Sequence, residues 1–359
     1  PATIVITADA PDAAPSPGVR VIDVREAIEE GHTTVADAVT STPGITLQRR
    51  GSGFESSTVR IRGSSAEQVL VLRDGQRIGS GTAGFADLSR FSLQGLEQIE
   101  VILGPATAIY GAGGAAGAIN LISRAPGAGP PDRSKVTGST SAEYGSFGEY
   151  RLGGELFAPI GASELSVSID GAYAQNEYSY TRAGETVARE NAGGWDGRAE
   201  LEVSHAFDSS SLNIRGSLDH SDRGIPGTVE FPSDSARLEE TGAAATVAFA
   251  AGGAAGEGRG AIGTESAPEV TGRWGTISQL HGTLQERSYG DADYPLGAIS
   301  SKSTLYGVEA GFTARGPVGR SSITLPVSYS LEAVRESELG ERERLSLAFA
   351  PGYVAPRLP

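Results

Sequence analysis

The sequence contains no cysteine and no methionine among its 359 residues. Without cysteine, neither disulfides nor thiolate metal sites can form, which is compatible with a protein outside the cytoplasm. The missing methionine predicts a processed or trimmed chain. No run of about 18 apolar residues occurs, so the sequence predicts no transmembrane helix.

Basic charge is also scarce, since 29 Lys and Arg stand against 44 Asp and Glu and give a formal net charge of -15. A nucleic-acid partner is not expected, because a phosphate backbone needs a basic face. Glycine is abundant, with 50 residues in no fixed period, which excludes collagen and favours a β protein with many turns. No catalytic motif stands out, and we expect no enzyme.

The first 126 residues predict a tether followed by a small mixed domain. Residues 3–7 are β-prone, and the rest of segment 1–18 is rich in Ala, Pro and Asp, as flexible tethers are. Asp23 and Thr34 each begin a helix-capping pattern. A hairpin-like run at residues 58–63 is followed by apolar residues 69–72 and by a predicted turn at residues 74–75.

Residues 99–124 are the most distinctive segment. They predict a short strand, a Gly-Pro corner, one helical turn, a glycine-rich loop and a second strand. Pro105 suits a first helical position, and Gly111 suits a left-handed helix end. So many small residues allow two strands and a loop to pack closely together.

From residue 127 onward, apolar and polar residues alternate in roughly nine or ten segments. Alternation alone fits both a membrane barrel and a soluble β-sandwich, because each has one apolar face. Strand lengths of about 10 residues favour the barrel. So do aromatic residues near the strand ends, which suit an interfacial girdle. These aromatics are Tyr144, Phe147, Tyr150, Phe157, Tyr173, Tyr178 and Tyr180.

Five segments together resemble the TonB-dependent outer-membrane receptors, and within that family the receptors for vitamin B12 (cobalamin). In chain order they are residues 2–8 (the TonB box), 51–63, 69–77, 85–91 and 99–124. Their order and spacing are those of the family. One departure is Leu103, where the family usually has an arginine before Gly-Pro.

The resemblance implies an α+β plug domain at residues 19–126, followed at 127–359 by antiparallel transmembrane β-strands in the outer membrane of a Gram-negative cell. The plug would fill a barrel of about 22 strands. Ligand would bind at plug apices and outer loops, and the inner-membrane-powered protein TonB would pull on the TonB box. The implied TonB-binding residues are Thr3, Ile4, Val5, Ile6 and Thr7.

The ligand implied by the resemblance is cobalamin or another corrinoid, and the alternative is a ferric siderophore or haem. A rival from another class is a non-transporting, secreted or surface β-sandwich that binds a ligand. The implied ligand-contacting apices are Ser52, Gly53, Phe54, Glu55, Ser64, Ser65, Gly81, Thr82 and Phe85. Residues with implied structural roles in the plug are Arg60, Arg62, Gly63, Asp74, Gly75, Gly104, Pro105, Tyr110 and Gly111.

Of these, Arg60 and Arg62 are expected to face acidic residues of the barrel wall. The family resemblance also suggests calcium in acidic outer loops, with Asp219, Asp222, Glu230 and Asp234 as possible ligands. Ordinary surface acidity explains these four carboxylates equally well.

The chain is short for such a receptor. About 22 strands of 9–11 residues would use roughly 200–240 residues before any loop is counted. Long loops occupy much of segment 127–359, so we expect only nine or ten strands. The chain is therefore expected to be the N-terminal part of a receptor, or one half of a split receptor whose barrel a second chain completes.

Overall fold

Two sheets organise the protein in the computed structural model, which describes residues 18–49, 57–78, 86–104, 114–123, 135–252, 274–294, 297–318, 321–336 and 342–351. The first sheet belongs to a small α+β plug domain, and the second is a long antiparallel sheet. The plug strands end at Ser123, and the long sheet begins at Thr137.

The plug combines seven strands with two short helices. Its elements are β1 (Val19–Asp23), α1 (Val24–Glu29), α2 (Val35–Val39), β2 (Ile45–Arg49), β3 (Ser57–Ile61), β4 (Val69–Arg73), β5 (Gln76–Arg77), β6 (Leu96–Ile102) and β7 (Gly117–Ser123). Strands β1, β6, β7, β4 and β5 form one sheet in that order, in which β4 and β7 are parallel. Strands β2 and β3 form a separate antiparallel pair.

Both plug helices begin where the capping patterns predict. Asp23 Oδ1 accepts hydrogen bonds from the amides of Arg25 (2.7 Å) and Glu26 (3.2 Å), and Thr34 Oγ1 accepts from the Asp37 amide (3.2 Å). These bonds satisfy amides that have no partner within the helix. The helices then bury their apolar side against one face of the sheet. Fully buried members of this core include Val24, Val35, Val39, Ile99, Val101, Ile119 and Leu121.

The turn predicted at Asp74 and Gly75 is confirmed, and it joins β4 to β5 as an antiparallel hairpin. Asp74 has φ +50° and Gly75 has φ +78°, and two successive positive φ values are those of a type I′ turn. Aspartate tolerates this conformation better than most residues with a side chain. The turn therefore sets the end of β4, where the plug meets the second sheet.

Segment 99–124 forms the predicted two strands, β6 and β7, which pair antiparallel. Its corner and helical turn, with Pro105, Tyr110 and Gly111, lie outside the described residues. The close packing expected from small residues is visible at Gly117. A Cβ at that position would overlap the carbonyl oxygen of Ile102 on β6.

Gly117→Ala is therefore expected to destabilise the plug by about 1–3 kcal/mol, because the overlapping atom belongs to the backbone and cannot rotate away. Calorimetric unfolding of the full-length receptor in detergent measures the effect. Gly104→Ala is the matched control, since no atom of the described residues lies within 4 Å of its added Cβ. Equal stability of the two variants would contradict the prediction.

The second sheet has ten strands in sequential antiparallel order, which confirms the count expected from the alternation. Its strands are β8 (Thr137–Gly145), β9 (Glu149–Ile160), β10 (Ser163–Ala174), β13 (Gly194–Ala206), β14 (Ser210–Gly224), β15 (Arg237–Gly252), β16 (Gly275–Asp291), β17 (Ile299–Val318), β18 (Ser321–Glu336) and β19 (Arg342–Pro351). The hairpin of β11 (Tyr178–Arg182) and β12 (Glu185–Arg189) lies between β10 and β13. Among the described strands, β8 and β19 are the two edges, so this partial barrel is not closed.

The two faces of the long sheet distinguish the barrel from the sandwich. On β13, Leu201 is 50% exposed and Val203 is 38% exposed, whereas Glu202 between them is 5% exposed. The apolar face therefore points outward and the charged face points toward the plug. A soluble sandwich would have the reverse arrangement, and a membrane barrel has this one. The sandwich prediction is wrong for this fold.

An aromatic row crosses four neighbouring strands on the outward face. Tyr144, Tyr150, Tyr173 and Trp195 lie directly opposite one another in the strand register. Ring centroids are 5.1 Å apart for the first pair and 6.5 Å for the second. This row contains three of the tyrosines that the sequence predicts for a girdle. Phe157 does not join it, because it lies on the inward-facing side of β9 with Arg151.

No helix in the described part of the chain is long and apolar enough to cross a membrane.

Candidate functional site

The β4–β5 turn carries Asp74, a plug residue that contacts the long sheet. Asp74 is 7% exposed, and its amide donates to the Leu121 carbonyl at 2.8 Å. Its Oδ1 accepts from the Ser123 amide at 2.8 Å. Both bonds fix the turn to β7, which leaves Oδ2 directed at the barrel wall.

A first buried ion-pair cluster joins this turn to β13 and β14. Arg215 on β14 pairs with Asp74, and its Nη2 lies 2.8 Å from Glu202 Oε2. Next to it, Arg73 Nη2 lies 2.9 Å from Glu200 Oε2. We call Arg73, Asp74, Glu200, Glu202 and Arg215 the first cluster; it contains two positive and three negative groups.

A second buried cluster joins plug residues 87–90 to strands β14 and β15. Asp87 pairs with Arg223 at 2.8 Å, and Arg90 pairs with both Asp219 and Glu240 at 2.9 Å. Arg223 also contacts Glu240 at 3.1 Å, which connects the two plug residues through the wall. A 3-10 turn at Leu88–Arg90 orients Arg90, because Leu88 is fully buried in the plug core.

The two clusters set the register of the plug against the wall. Removing both ions of a buried pair is often tolerated, whereas removing one leaves an uncompensated charge and costs about 3–5 kcal/mol. Because each cluster is a network, the change of one member affects several others. The plug is thus held by a few buried ion pairs. Removing one partner of any pair lowers stability, because the other charge stays buried.

A cavity of about 740 Å³ lies between the plug and the inner face of the sheet. The plug contributes Arg73, Asp74, Asp87, Arg90 and Phe91 to its wall, and strands β13–β17 supply the opposite side. Loop residues 224–229 and the end of β12 also line it. The volume is within the range of about 300–1,000 Å³ that suits a small-molecule ligand or part of a larger one.

Hydrogen bonds connect the loops at this end of the strands. Asn191 Nδ2 donates to the carbonyls of Ser233 (3.1 Å) and Ala236 (2.8 Å). The hydroxyls of Ser233 and Ser235 donate to Asp291 Oδ1 at 3.0 and 3.2 Å. Loop 225–236 is therefore fixed to the loop before it and to the end of β16.

Few of the ligand-contacting residues expected from the sequence lie in the described part. Ser64 follows β3, where its hydroxyl accepts from the Ile61 amide at 3.2 Å, and Ser65 is exposed in the same loop. Their contact with ligand stays a prediction. The expected residues outside the described part are Thr3, Ile4, Val5, Ile6, Thr7, Ser52, Gly53, Phe54, Glu55, Gly81, Thr82 and Phe85.

The residues expected to have structural roles in the plug are of two kinds, turn residues and charged residues. Gly63, Asp74 and Gly75 have positive φ values in turns, which suits their residue types. Arg60 and Arg62 are exposed, and the plug-to-wall ion pairs described above use Arg73, Asp74, Asp87 and Arg90 in their place. The pairing of Arg60 and Arg62 with the wall stays a prediction.

Leu103, which replaces the family's usual arginine, is 9% exposed and packs in the plug core. Its amide donates to the Gly18 carbonyl at 2.7 Å. The leucine therefore contributes an apolar contact where an arginine would bring a charge. Gly104 beside it has open space around it.

The four carboxylates suggested for calcium do not converge. Asp219 and Asp222 lie on opposite faces of β14, the first bound to Arg90 and the second 2.7 Å from Arg237. Glu230 and Asp234 are in loop 225–236. Among the described residues, no group of three or more His, Asp or Glu side chains could hold a metal ion. Calcium binding stays a prediction, but not with these four ligands together.

Sequence reasoning missed the wall residues of both clusters. A usable signal was present, because Arg215, Asp219 and Arg223 recur every four residues and so share one face of a strand. Charges on one face of an otherwise amphipathic strand indicate a buried partner of opposite charge. The plug partners Arg73, Asp87 and Arg90 lie within two of the family-like segments, yet nothing local distinguishes them.

Residues 14–118 match the family model described as the TonB-dependent Receptor Plug Domain. This segment is therefore a TonB-dependent receptor plug domain. Over 143 residues, it is 33% identical to a protein of Photobacterium profundum named Vitamin B12 transporter BtuB. That alignment covers 39% of this chain and 22% of the relative.

Solved receptors share the fold of the plug and the strands together. A variant of the ferric enterobactin receptor PfeA from Pseudomonas aeruginosa matches with a TM-score of 0.69 at 17% identity, over 93% of this chain and 54% of that one. The ferric yersiniabactin uptake receptor FyuA from Yersinia pestis matches with a TM-score of 0.56 at 14% identity, over 93% of this chain and 60% of that one. The chain thus spans about half the length of these receptors. Its ten strands have the fold of the corresponding part of their β-barrels.

One plug carboxyl is expected to titrate near neutral pH. Burial raises the pKa of Glu100 on β6 to about 7, against a hydrogen bond from Asn120 Nδ2 (3.2 Å) that lowers it. Because the folded-state pKa exceeds the unfolded one, the stability that protonation provides is complete below about pH 4.5 and is lost as the pH rises through 7. The loss is up to about 3 kcal/mol.

Glu100→Gln is therefore expected to remove that part of the pH dependence and to stabilise the plug at pH 8 relative to wild type. Calorimetry of the full-length receptor between pH 4.5 and 8 measures it. A Glu100→Gln profile parallel to wild type would contradict the assigned pKa.

Proposed function

We propose that this chain is the plug and the first ten barrel strands of a TonB-dependent transporter in the outer membrane, and that the transported ligand is a corrinoid. The observation that carries the transport function is the plug bound to the inner wall by two buried ion-pair clusters. A domain held inside a barrel blocks passage, so import needs a rearrangement driven from outside the receptor. TonB, pairing with residues 2–8 as an added strand, would supply that work.

The corrinoid proposal rests on the 33% identity with a relative named for vitamin B12 transport. The receptors named for ferric siderophores are 14–17% identical, a level at which the likeness shows the fold alone. Ferric siderophores therefore enter the test as competing ligands. An outer-membrane location agrees with the outward apolar face and the aromatic row of the sheet.

Uptake of radiolabelled cyanocobalamin tests this function. The full-length protein that contains this chain is expressed in a Gram-negative strain that lacks its own corrinoid receptor. We expect uptake to be restored, and to disappear when the same strain also lacks TonB. Binding to the purified receptor in detergent should be unaffected by excess ferric enterobactin. Uptake that persists without TonB would contradict the mechanism, and displacement by ferric enterobactin would contradict the ligand.

A further inference from the structure

Arg189, the last residue of β12, lines the luminal cavity, and part of its hydrogen-bonding capacity is not used. Its Nη2 donates to the Gly227 carbonyl at 2.6 Å. Its Nε and Nη1 are buried and have no hydrogen-bond partner among the residues that the structure describes. A guanidinium has five N–H bonds, and three of them belong to these two nitrogens.

Arginines outnumber carboxylates by one among the residues that line the cavity, and Arg189 accounts for this difference. Eight arginines and seven Asp or Glu residues line it, although the whole chain has a net charge of -15. The wall arginines of the two clusters each contact a carboxylate. Among the described residues, Arg189 has a hydrogen bond to one backbone carbonyl and no carboxylate within 4.0 Å.

A buried donor without an acceptor costs about 1–3 kcal/mol, and more when it is charged. The cost disappears when an anionic oxygen enters the cavity and accepts these bonds. Water could occupy the same space, but it would leave the positive charge uncompensated.

We propose that Arg189 binds an anionic oxygen group of the ligand, a phosphate or a carboxylate, inside the luminal cavity. This inference rests on the proposed function for the passage of a ligand, but it adds the charge that the ligand must carry. Within the corrinoid class, it selects molecules that retain the nucleotide phosphodiester over those that lack it. The loop contact at Gly227 positions the guanidinium at the boundary between the outer loops and the lumen.

Arg182 on the neighbouring strand β11 is a matched control. It also donates from Nη2 to a carbonyl of loop 225–236, that of Glu230 at 3.4 Å, but its side chain is exposed and lies outside the cavity wall. Arg189→Met and Arg182→Met therefore both remove a guanidinium and one loop contact. Only the first removes the charge from the cavity.

The first experiment uses inorganic phosphate as the probe and does not depend on the ligand's identity. Thermal unfolding of the full-length receptor in detergent is measured with and without about 10 mM phosphate, at constant ionic strength set with chloride. We expect phosphate to raise the melting temperature of wild type and Arg182→Met, and not that of Arg189→Met. Equal shifts in all three proteins, or no shift in any, would overturn the anion site.

The second experiment compares cyanocobalamin with dicyanocobinamide, which has no nucleotide phosphate. Loss of a charge-assisted hydrogen bond predicts that Arg189→Met binds cyanocobalamin about 10–100-fold more weakly than wild type. The affinity of Arg182→Met for cyanocobalamin should differ from wild type by less than about twofold. Arg189→Lys should recover part of the affinity, because lysine keeps the positive charge but lacks the bidentate geometry of a guanidinium. All four proteins should bind dicyanocobinamide alike.

The two proposals fail in different ways. If wild type binds neither corrinoid, the corrinoid assignment is wrong, and the phosphate experiment still decides the anion site. If wild type binds cyanocobalamin and Arg189→Met binds it equally well, the role of Arg189 is wrong and the corrinoid assignment stands.

Discussion

Arg215→Met is expected to destabilise the docked plug by about 3–5 kcal/mol. Arg215 is the one cation in direct contact with both Asp74 of the plug and Glu202 of the wall among the described residues, and its Nε lies 3.6 Å from Glu200. Its removal takes this cation from the buried carboxylates of Asp74 and Glu202, whereas Glu200 keeps Arg73 at 2.9 Å. Methionine keeps most of the side-chain volume, so the loss reports on charge and hydrogen bonding.

Calorimetry and limited proteolysis of the full-length receptor in detergent measure this effect. We expect a lower plug transition and faster cleavage of the plug than in wild type. Arg237→Met is the control, because the Arg237–Asp222 pair is on the outward face with the arginine side chain 52% exposed. Exposed pairs contribute about 0–1 kcal/mol. If both variants unfold alike, the first cluster does not hold the plug.

Ile4→Pro is expected to reduce uptake to the level of cells without the receptor and to leave ligand binding unchanged. Proline has no amide hydrogen, so a segment that pairs with TonB as an added strand loses a donor at its centre. Ligand binding should persist because residues 3–7 precede the plug and are not among the expected ligand contacts.

Uptake and detergent binding of radiolabelled cyanocobalamin, measured on the same variant, separate the two effects. Ala10→Pro is the control, because it adds a proline to a tether that already contains three between residues 11 and 17. It should import at the wild-type rate. Wild-type uptake by Ile4→Pro would show that TonB does not engage this segment, and loss of binding would show that the substitution acts on the ligand site.

Local chemistry made several elements predictable. Asp23 and Thr34 begin their helices as capping residues do, and Asp74-Gly75 makes the turn that its dipeptide favours. The alternation after residue 127 predicted nine or ten strands, and the sheet has ten, because a period of two is imposed by the strand itself. Such signals depend on neighbours within a few residues, so the sequence contains them in full.

The ion-pair clusters could not be derived in that way. Asp74 and Arg215 are 141 residues apart, and Arg90 and Glu240 are 150 apart. An arginine in the plug has the same local sequence signature whether solvent or a carboxylate surrounds it. Arg60 and Arg62 are exposed, whereas Arg73 and Arg90 are paired, and only the docking of plug against wall separates them.

By itself, the sequence determined the two-part organisation, the plug motifs and the number of strands, because these follow from short-range patterns and their order. The tertiary structure decided which face of each strand points outward, which charges pair, and where two nitrogens of a guanidinium have no partner among the described residues. Those outcomes depend on desolvation and on the meeting of distant segments, since a buried charge is stable only beside the partner that the fold brings to it.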